Sequence, residues 1–297
     1  MNFKIRKIMK TKILFLGLLL SLLSINCSKD KLEEATISAD EISANAKLDN
    51  ATDDVLKIVE TQLGTSDGIA GKSAIGTQGV MGDLPSCATV TRVPEFGTMP
   101  AVGEQITKTI TFDPAGCTMP NGNVLKGKII ITFVFDPSAT SHTINYQFVD
   151  FYHNAIKLVG NKSFTRSKTT ATATSLPHPI ITMNMDMTAT FANGNVVTRV
   201  GTRTHEMVEG FLTPLNTEDN VFHITGNWTT SFQNGNMRNA TISTVLIKKG
   251  NCNFVGQGVI TFTNSSNTAT LDFGDGACDN QAVFTKDGVS VNITLGN

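Results

Sequence analysis

The stretch Ile181-Thr-Met-Asn-Met-Asp-Met-Thr-Ala-Thr-Phe191 decides the fold class, because its apolar and polar residues alternate without a break. Every odd position carries an apolar side chain and every even position a polar one. Only an extended strand, whose successive side chains point to opposite faces, converts a period of two into one buried face. The chain therefore contains a long strand with one face toward a core.

The same signals continue through the C-terminal two thirds of the chain. From Cys87 onward the sequence is dominated by Thr, Val, Ile and Phe, which is strand composition. A second strand is predicted where apolar residues fall on even positions: Phe222, Ile224, Trp228 and Phe232.

Three Asn-Gly-Asn triplets, at residues 121–123, 193–195 and 234–236, divide this region. Asn-Gly supplies the positive φ angles of a tight hairpin. We predict an all-β fold in which about a dozen antiparallel strands form a meander. Because twisted sheets of more than about 10 strands curl or split, we expect a curved half-barrel or a two-layer sheet.

The segment before Cys87 has a different character. Ser38-Ala-Asp-Glu41 has the spacing of a helix capping box. Apolar residues at helical spacing follow Asp53 and Asp54, where acids favour a helix N-terminus. We predict one or two short helices within 38–63, followed by a glycine-rich linker. The predicted organisation is a signal peptide at 1–26, a segment of tether, short helices and linker at 27–86, and an antiparallel β domain at 87–297.

The start of the chain has the layout of a secretory signal. Five Lys and Arg residues precede the apolar run Ile13 to Leu23, whose eleven residues fall short of the roughly 20 that span a bilayer. The following Ser24-Ile-Asn-Cys27 resembles the relaxed lipoprotein cleavage box of Bacteroidota, although Ser24 and Asn26 depart from its usual residues. Cys27 is the predicted lipidation site. The alternative is an ordinary signal peptide with Cys27 as a spare thiol.

The charge balance bears on partners and anchoring. Removing residues 1–26 takes away five of the 24 Lys and Arg and none of the 25 Asp and Glu, which leaves a net charge of about −6. This balance argues against nucleic acid as a partner, since its binding depends on many cationic contacts to phosphate. No other stretch is apolar enough to cross a membrane, so we expect anchoring through lipid alone.

Four further cysteines form an even set, as expected of an exported protein with disulfides. These cysteines lie in two similar segments of the sequence. In each segment, one cysteine opens a predicted strand and the other closes the next strand. We predict the pairs Cys87 with Cys117 and Cys252 with Cys278. Two other connectivities remain open on arithmetic alone.

Two motifs suggest ligand sites. Gly71-Lys72-Ser73 resembles the end of a phosphate-binding loop, but Ser66 stands where the pattern needs glycine, so a flexible linker is the better interpretation. Asp272, Asp275 and Asp279 cluster around glycines, and such carboxylates suit a hard cation such as calcium. The same residues build tight turns, so a structural turn is preferred over a metal site.

Histidines and aromatics offer no stronger site. The five histidines lack metal-ligand spacing, and His205 and Glu206 should face opposite sides of a strand. A platform for a flat ligand is one interpretation of the main aromatic group, and core packing is the preferred one. This group comprises Tyr146, Phe148, Phe151, Tyr152 and Trp228. We find no cofactor motif and expect no enzyme activity.

Taken together, the box at Cys27, the helical segment and the ending Leu271 to Leu295 resemble an uncharacterised family of β-rich lipoproteins of Bacteroidota. The resemblance implies a lipoprotein anchored at the outer membrane or cell surface and no particular activity. The anchor, the acidic domain and the lack of a catalytic motif lead us to expect a binding or structural role. The protein's partners would be the membrane, through the lipid, and an extracellular protein, glycan or lipid. Two alternatives remain: a carrier of an apolar ligand in a half-open β-barrel, and a hydrolase with an unrecognised site.

Overall fold

The computed structural model describes residues 36–64, 84–213 and 216–296. One helix, α1 at Ala39–Gly64, precedes fourteen strands. The strands are β1 Ala88–Val93, β2 Gln105–Thr118, β3 Val124–Val134, β4 His142–His153, β5 Ile156–Val159, β6 Asn161–Lys168, β7 Pro179–Thr190, β8 Val196–Glu209, β9 Val221–Phe232, β10 Met237–Lys249, β11 Gln257–Thr263, β12 Thr268–Asp275, β13 Gln281–Lys286 and β14 Val289–Thr294.

All the strands belong to one antiparallel sheet in which neighbours in sequence are neighbours in space. The exception is β5 and β6, which both pair with β4 and β7 and so share one strand position interrupted at Gly160. The first and last strands do not pair, so the sheet is not a closed barrel. The predicted all-β meander is confirmed, as one open sheet rather than two layers.

Along β7, buried and exposed side chains alternate in the same order as the apolar and polar residues that predicted the strand. Met183, Met185 and Met187 are buried, whereas Thr182, Asn184 and Asp186 are exposed. In β9, Ile224 and Trp228 are buried in the same manner. A period of two therefore marks the core-facing side of both strands, as predicted.

Each Asn-Gly-Asn triplet closes a hairpin, between β2 and β3, β7 and β8, and β9 and β10. The turns are alike: the glycine has φ between +83° and +85°, and its N–H donates to the carbonyl three residues earlier. The first Asn of each triplet keeps a negative φ. In each turn the glycine is therefore the one left-handed residue, at the end of the turn. The turns are not two-residue turns, in which both residues have positive φ angles.

The sheet curls around α1. Asn50 of the helix, Asn121 of the β2–β3 turn and Asn280 of the loop before β13 line one groove of about 200 Å³. In a flat sheet, β2 and β13 would lie roughly 50 Å apart at about 4.8 Å per strand. The two regions meet because the sheet bends, and its concave face encloses the helix.

The helix is a single element of 26 residues that begins at the predicted capping box. The Glu41 N–H donates to Ser38 Oγ at 3.2 Å, and the Ser38 N–H donates to Glu41 Oε2 at 3.4 Å. The expectation that Asp53 and Asp54 mark a helix start was wrong, since both lie in mid-helix. The helix belongs to the same compact unit as the strands, Thr36–Asn297.

The outer face of the sheet carries a continuous neutral row that we call the polar ladder. Its twelve members are directly opposed in successive strands, are at least partly exposed, and are all Thr, Ser or Asn. They are Thr107, Thr132, Asn145, Ser163, Asn184, Thr202, Asn227, Thr241, Thr261, Thr270, Thr285 and Ser290. Opposed hydroxyl and amide groups stabilise a sheet, as in the 2.9 Å contact between Thr285 and Ser290.

Both predicted disulfides are present. Cys87 pairs with Cys117 at a Cα–Cα distance of 5.6 Å, and Cys252 pairs with Cys278 at 5.3 Å. Cys87 directly precedes β1 and Cys117 lies in β2. Cys252 and Cys278 lie in the loops before β11 and after β12.

Exchanging Cys87 and Cys117 together for alanine is expected to lower the free energy of unfolding by about 3 to 4 kcal/mol. The bond closes a loop with a sequence separation of 30 residues, and its loss returns that entropy to the unfolded chain. Urea unfolding of the oxidised protein measures the change. Cys27→Ser is the control and should leave the midpoint unchanged, and a loss below about 1 kcal/mol would contradict the estimate.

Candidate functional site

The concave face of the sheet and α1 together enclose a network of charged side chains, which we call the buried charge network. Among residues 39–63, only Asp40 and Lys57 are exposed, although the helix also carries Glu41, Asp49, Asp53 and Asp54. Buried charges are tolerated when they are paired and hydrogen-bonded. The strands facing the helix supply the partners.

Asp49 lies at the centre of this network. Its Oδ1 accepts a hydrogen bond from Arg199, and its Oδ2 lies 3.0 Å from Arg203 Nη2. Both arginines are on β8 and almost fully buried. Arg199 Nη2 also donates to Asn45 Oδ1 at 2.6 Å, and the same oxygen accepts from Thr230 Oγ1 at 2.8 Å. One turn of the helix is thereby fixed against β8 and β9.

Asp53 lies one turn further along the helix. Its carboxylate lies 3.5 Å from Arg203 Nη1 and 3.4 Å from Lys248 Nζ. Burial alone would raise the pKa of Asp53, but Lys248, His205 and Arg203 outweigh it and hold the pKa below its ordinary value. Burial lowers the pKa of His205 to about 4, although Asp53 opposes this shift, so the imidazole is neutral near pH 7.

The two ends of the helix are held by separate contacts. Near its start, Glu41 Oε2 accepts from Arg238 Nε at 2.9 Å. In its second half, Asp54 Oδ2 lies 2.9 Å from His153 Nε2 and accepts from Asn121 Nδ2 at 3.0 Å. The helix therefore crosses the sheet, from β10 at its first turn toward β4 and the β2–β3 turn further along.

Trp228 is a core residue that also packs against the arginines of the network. Its ring lies 4.4 Å from the Arg203 guanidinium carbon and 5.1 Å from that of Arg199, which are cation–π distances. Gly201 lies directly opposite Trp228, and a Cβ there would collide with the Trp228 side chain. Within the described residues, Trp228 Nε1 and His205 Nε2 have no hydrogen-bond partner.

Lys162 of β6 is a further buried cation of the concave face. Its Nζ donates to Thr52 Oγ1 at 3.4 Å, and no carboxylate of the described chain lies within ion-pair distance of it. Burial, together with the nearby Arg199 and Arg203, lowers the pKa of Lys162 to about 7, although Asp53 and Asp49 oppose the shift. Folding therefore favours the neutral amine.

The effect of pH follows from this shift. The pKa of Lys162 is lower in the folded state than in the unfolded state. Below about pH 7 the buried amine is charged, so folding then carries the full free-energy cost of burying that charge. The penalty decreases as the pH rises toward the unfolded pKa of about 10.4. Lys162→Met should therefore stabilise the protein at pH 7 by about 1 to 4 kcal/mol, and the gain should shrink by pH 10.

Urea unfolding at pH 7 and pH 10 tests this expectation. The matched control is Lys128→Met on the exposed side of β3, which should change stability by less than about 0.5 kcal/mol at either pH. A Lys162→Met variant that is less stable than the natural protein at pH 7 would contradict the assignment.

Comparison with protein-family models, curated proteins and solved structures found no match to this chain. The interpretation of the site therefore depends on its own geometry.

Two of the sequence-predicted sites lie outside the described residues: the lipidation site Cys27 and the loop Gly71-Lys72-Ser73. In the part that the structure describes, no helix is long and apolar enough to span a membrane.

The acidic turn near the C-terminus behaves as a turn. Asp272 Oδ1 accepts from the Gly274 N–H at 2.9 Å, and Asp279 Oδ1 accepts from the Gln281 N–H at 3.0 Å. Asp275 is exposed at the end of β12. Across residues 36–64, 84–213 and 216–296, no group of three His, Cys, Asp or Glu side chains is placed to hold a metal ion. These contacts favour the turn interpretation over the cation site.

The histidines and aromatics follow the sequence expectations. His205 faces the buried network, whereas Glu206 points outward and lies 2.7 Å from His178 Nε2. Four of the five aromatic residues that could have formed a platform are buried in the core: Tyr146, Phe148, Phe151 and Trp228. They are therefore packing residues.

Two surface grooves lie beside the helix. One, of about 370 Å³, is lined by Asp40 and Lys47 of the helix and Val291 of β14. The other is the 200 Å³ groove at Asn50. Neither is lined by the arginines of the buried charge network, so that network holds the helix in place rather than facing either groove.

Sequence reasoning missed this network, although signals for it exist. Glu41, Asn45, Asp49 and Asp53 recur at four-residue spacing, which makes a polar stripe along one side of a helix. Arg199, Arg203 and His205 share the inward face of β8 with the apolar Val197. The stripe on the helix is acidic, the inward face of β8 is basic, and both also carry apolar residues. This combination would have indicated that the helix packs against that face of β8.

Proposed function

We propose that this protein is a lipid-anchored lipoprotein of the outer membrane or cell surface, with a binding or structural role. The proposal is supported by the charged start, the short apolar run and the cleavage-box resemblance that ends at Cys27. The two cysteine pairs of the folded unit also suit an oxidising compartment outside the cytosol. A multiply acylated Cys27 would supply stable anchoring, since one acyl chain holds only marginally.

The observation that carries the binding or structural role is the filled concave face. A carrier of an apolar ligand would need the Met and Ile side chains of β7 to be uncovered. Met183, Met185 and Met187 are instead at most 2% exposed, and Thr52 of the helix contacts Met187 Sδ at 3.7 Å. Contacts with an extracellular protein, glycan or lipid would therefore use the outer face and loops.

A hydrolytic site would need convergent polar groups that open to solvent. Two groups with strongly shifted pKa values, Lys162 and His205, are enclosed beneath the helix. Ser175 Oγ lies 3.2 Å from His178 Nδ1, but the same nitrogen lies 2.7 Å from the Leu176 carbonyl oxygen, which can only accept a hydrogen bond. His178 Nδ1 therefore carries a proton and is not a free base for Ser175, so we propose the binding or structural role.

Metabolic labelling with alkyne-palmitate, followed by detection on the purified protein, tests the anchor. Label should be incorporated into the natural sequence and lost in Cys27→Ala. Protease treatment of intact cells should then degrade the protein if it faces outward. Absence of label from the natural sequence would overturn the lipoprotein proposal.

A further inference from the structure

The last strand of the sheet, β14 at Val289–Thr294, presents an open edge. Among the described residues it pairs with β13 alone. Val289 is 67% exposed and Val291 is 46% exposed, both on the side that elsewhere faces the core. An edge strand offers unpaired backbone N–H and C=O groups to any compatible strand.

The strand itself carries none of the side-chain devices that prevent pairing, although Asp40 and Lys47 of α1 line a groove beside Val291. The sequence Val-Ser-Val-Asn-Ile-Thr contains no charge and no proline, and its pairing with β13 is regular over all six residues. The opposite edge, β1, differs because it carries Arg92 and is followed by Pro94. Arg92 Nη1 donates to the carbonyls of Pro94, Glu95 and Thr98, which ties the following loop to the end of that strand. The two edges are thus protected unequally.

The hairpin geometry shows which backbone groups of β14 point outward. Asp287 and Gly288, with φ of 51° and 78°, form a two-residue turn closed by Lys286 and Val289. The closing pair of such a turn is hydrogen-bonded, and bonded pairs then alternate along the strands. Val289, Val291 and Ile293 are therefore bonded to β13. The N–H and C=O groups of Ser290 and Asn292 face the open edge.

One antiparallel pairing of β14 with itself satisfies both the backbone and the side chains. With Val291 opposite its own counterpart, Val289 faces Ile293 of the second copy and Ser290 faces Asn292. Apolar side chains then meet on the inner side and polar ones on the outer side. The outward-pointing groups of Ser290 and Asn292 exchange hydrogen bonds. No like charges are opposed, which would weaken a symmetric pair.

We propose that β14 pairs antiparallel with β14 of a second copy of this chain, about a two-fold axis at Val291. The pairing joins two sheets into one and brings the polar ladder of one copy, at Ser290, next to Asn292 of the other. It also covers Val289 and Val291. The inference is independent of the lipid anchor.

Cysteine cross-linking tests the register directly, in the full chain with Cys27→Ser so that the four remaining cysteines are paired. Val291→Cys should form a disulfide-linked dimer on mild oxidation, because Cα atoms of a non-hydrogen-bonded antiparallel pair lie about 4.5 Å apart. Val289→Cys is the matched control. Its two copies would be four residues out of register, about 13 Å apart, and should stay monomeric.

Sedimentation of the Cys27→Ser protein and of Val291→Lys in the same background provides the second measurement. Lysine at the axis opposes two like charges, and dimerisation should weaken at least about tenfold. Absence of cross-linking at 291, equal cross-linking at 289, or a dimer that persists in Val291→Lys would each overturn the proposal. A series of higher oligomers would also overturn it, because it would indicate head-to-tail pairing of β14 with β1.

Discussion

Replacing Asp49 by alanine is expected to lower the free energy of unfolding by about 3 to 5 kcal/mol. The substitution leaves the guanidinium of Arg199 buried without its carboxylate partner and removes one of the two carboxylates beside Arg203. Removing one partner of a buried ion pair costs far more than the pair contributes, because the remaining charge has lost its solvation and gained nothing in exchange. Thermal and urea unfolding measure the loss.

Asp40→Ala is the matched control for this substitution. Asp40 lies on the same helix but is exposed, so its loss should cost less than about 1 kcal/mol. The double variant Asp49→Ala with Arg199→Met should recover part of the stability, since it removes one uncompensated charge. If Asp49→Ala costs no more than Asp40→Ala, the buried charge network does not hold the helix.

Removing the helix is expected to have the largest effect. A chain that begins at Thr36 should fold, because this residue begins the compact unit. A chain that begins at residue 65 should not, because Met183, Met185 and Met187 lose their cover and Arg199 loses its carboxylate. The stability lost on removing the helix should exceed the 5 to 15 kcal/mol that typically stabilises a domain.

Near-ultraviolet circular dichroism and the cooperativity of urea unfolding distinguish the two chains. Adding a synthetic peptide of residues 36–64 to the shorter chain should restore part of the signal, and the same peptide with Asp49→Ala should restore less. Cooperative unfolding of the shorter chain at an unchanged midpoint would show that the strands fold without the helix.

The strands and turns could be predicted because local geometry leaves few alternatives. The alternation at 181–191 fits only a strand with one buried face, and the Asn-Gly-Asn triplets mark hairpins through the φ angle of one glycine. The cysteine pairs followed from strand order, since a hairpin brings its two ends together. Each of these inferences uses neighbours in sequence.

The position of the helix could not be predicted in this way. Asp53 and Asp54 indicated a helix start when considered locally, whereas Asp53 lies near Arg203 and Lys248, and Asp54 near His153. Those partners are about 100 to 195 residues away in sequence. No local pattern distinguishes an acidic side chain that faces water from one that faces a buried arginine.

By itself, the sequence determined the all-β class, the hairpins and the cysteine pairing, because backbone geometry acts over a few residues or one turn. The tertiary structure alone decided that the sheet curls around α1 and that the charges lie inside while the polar ladder lies outside. The physical reason is that the solvation of a side chain depends on what the distant parts of the chain place beside it.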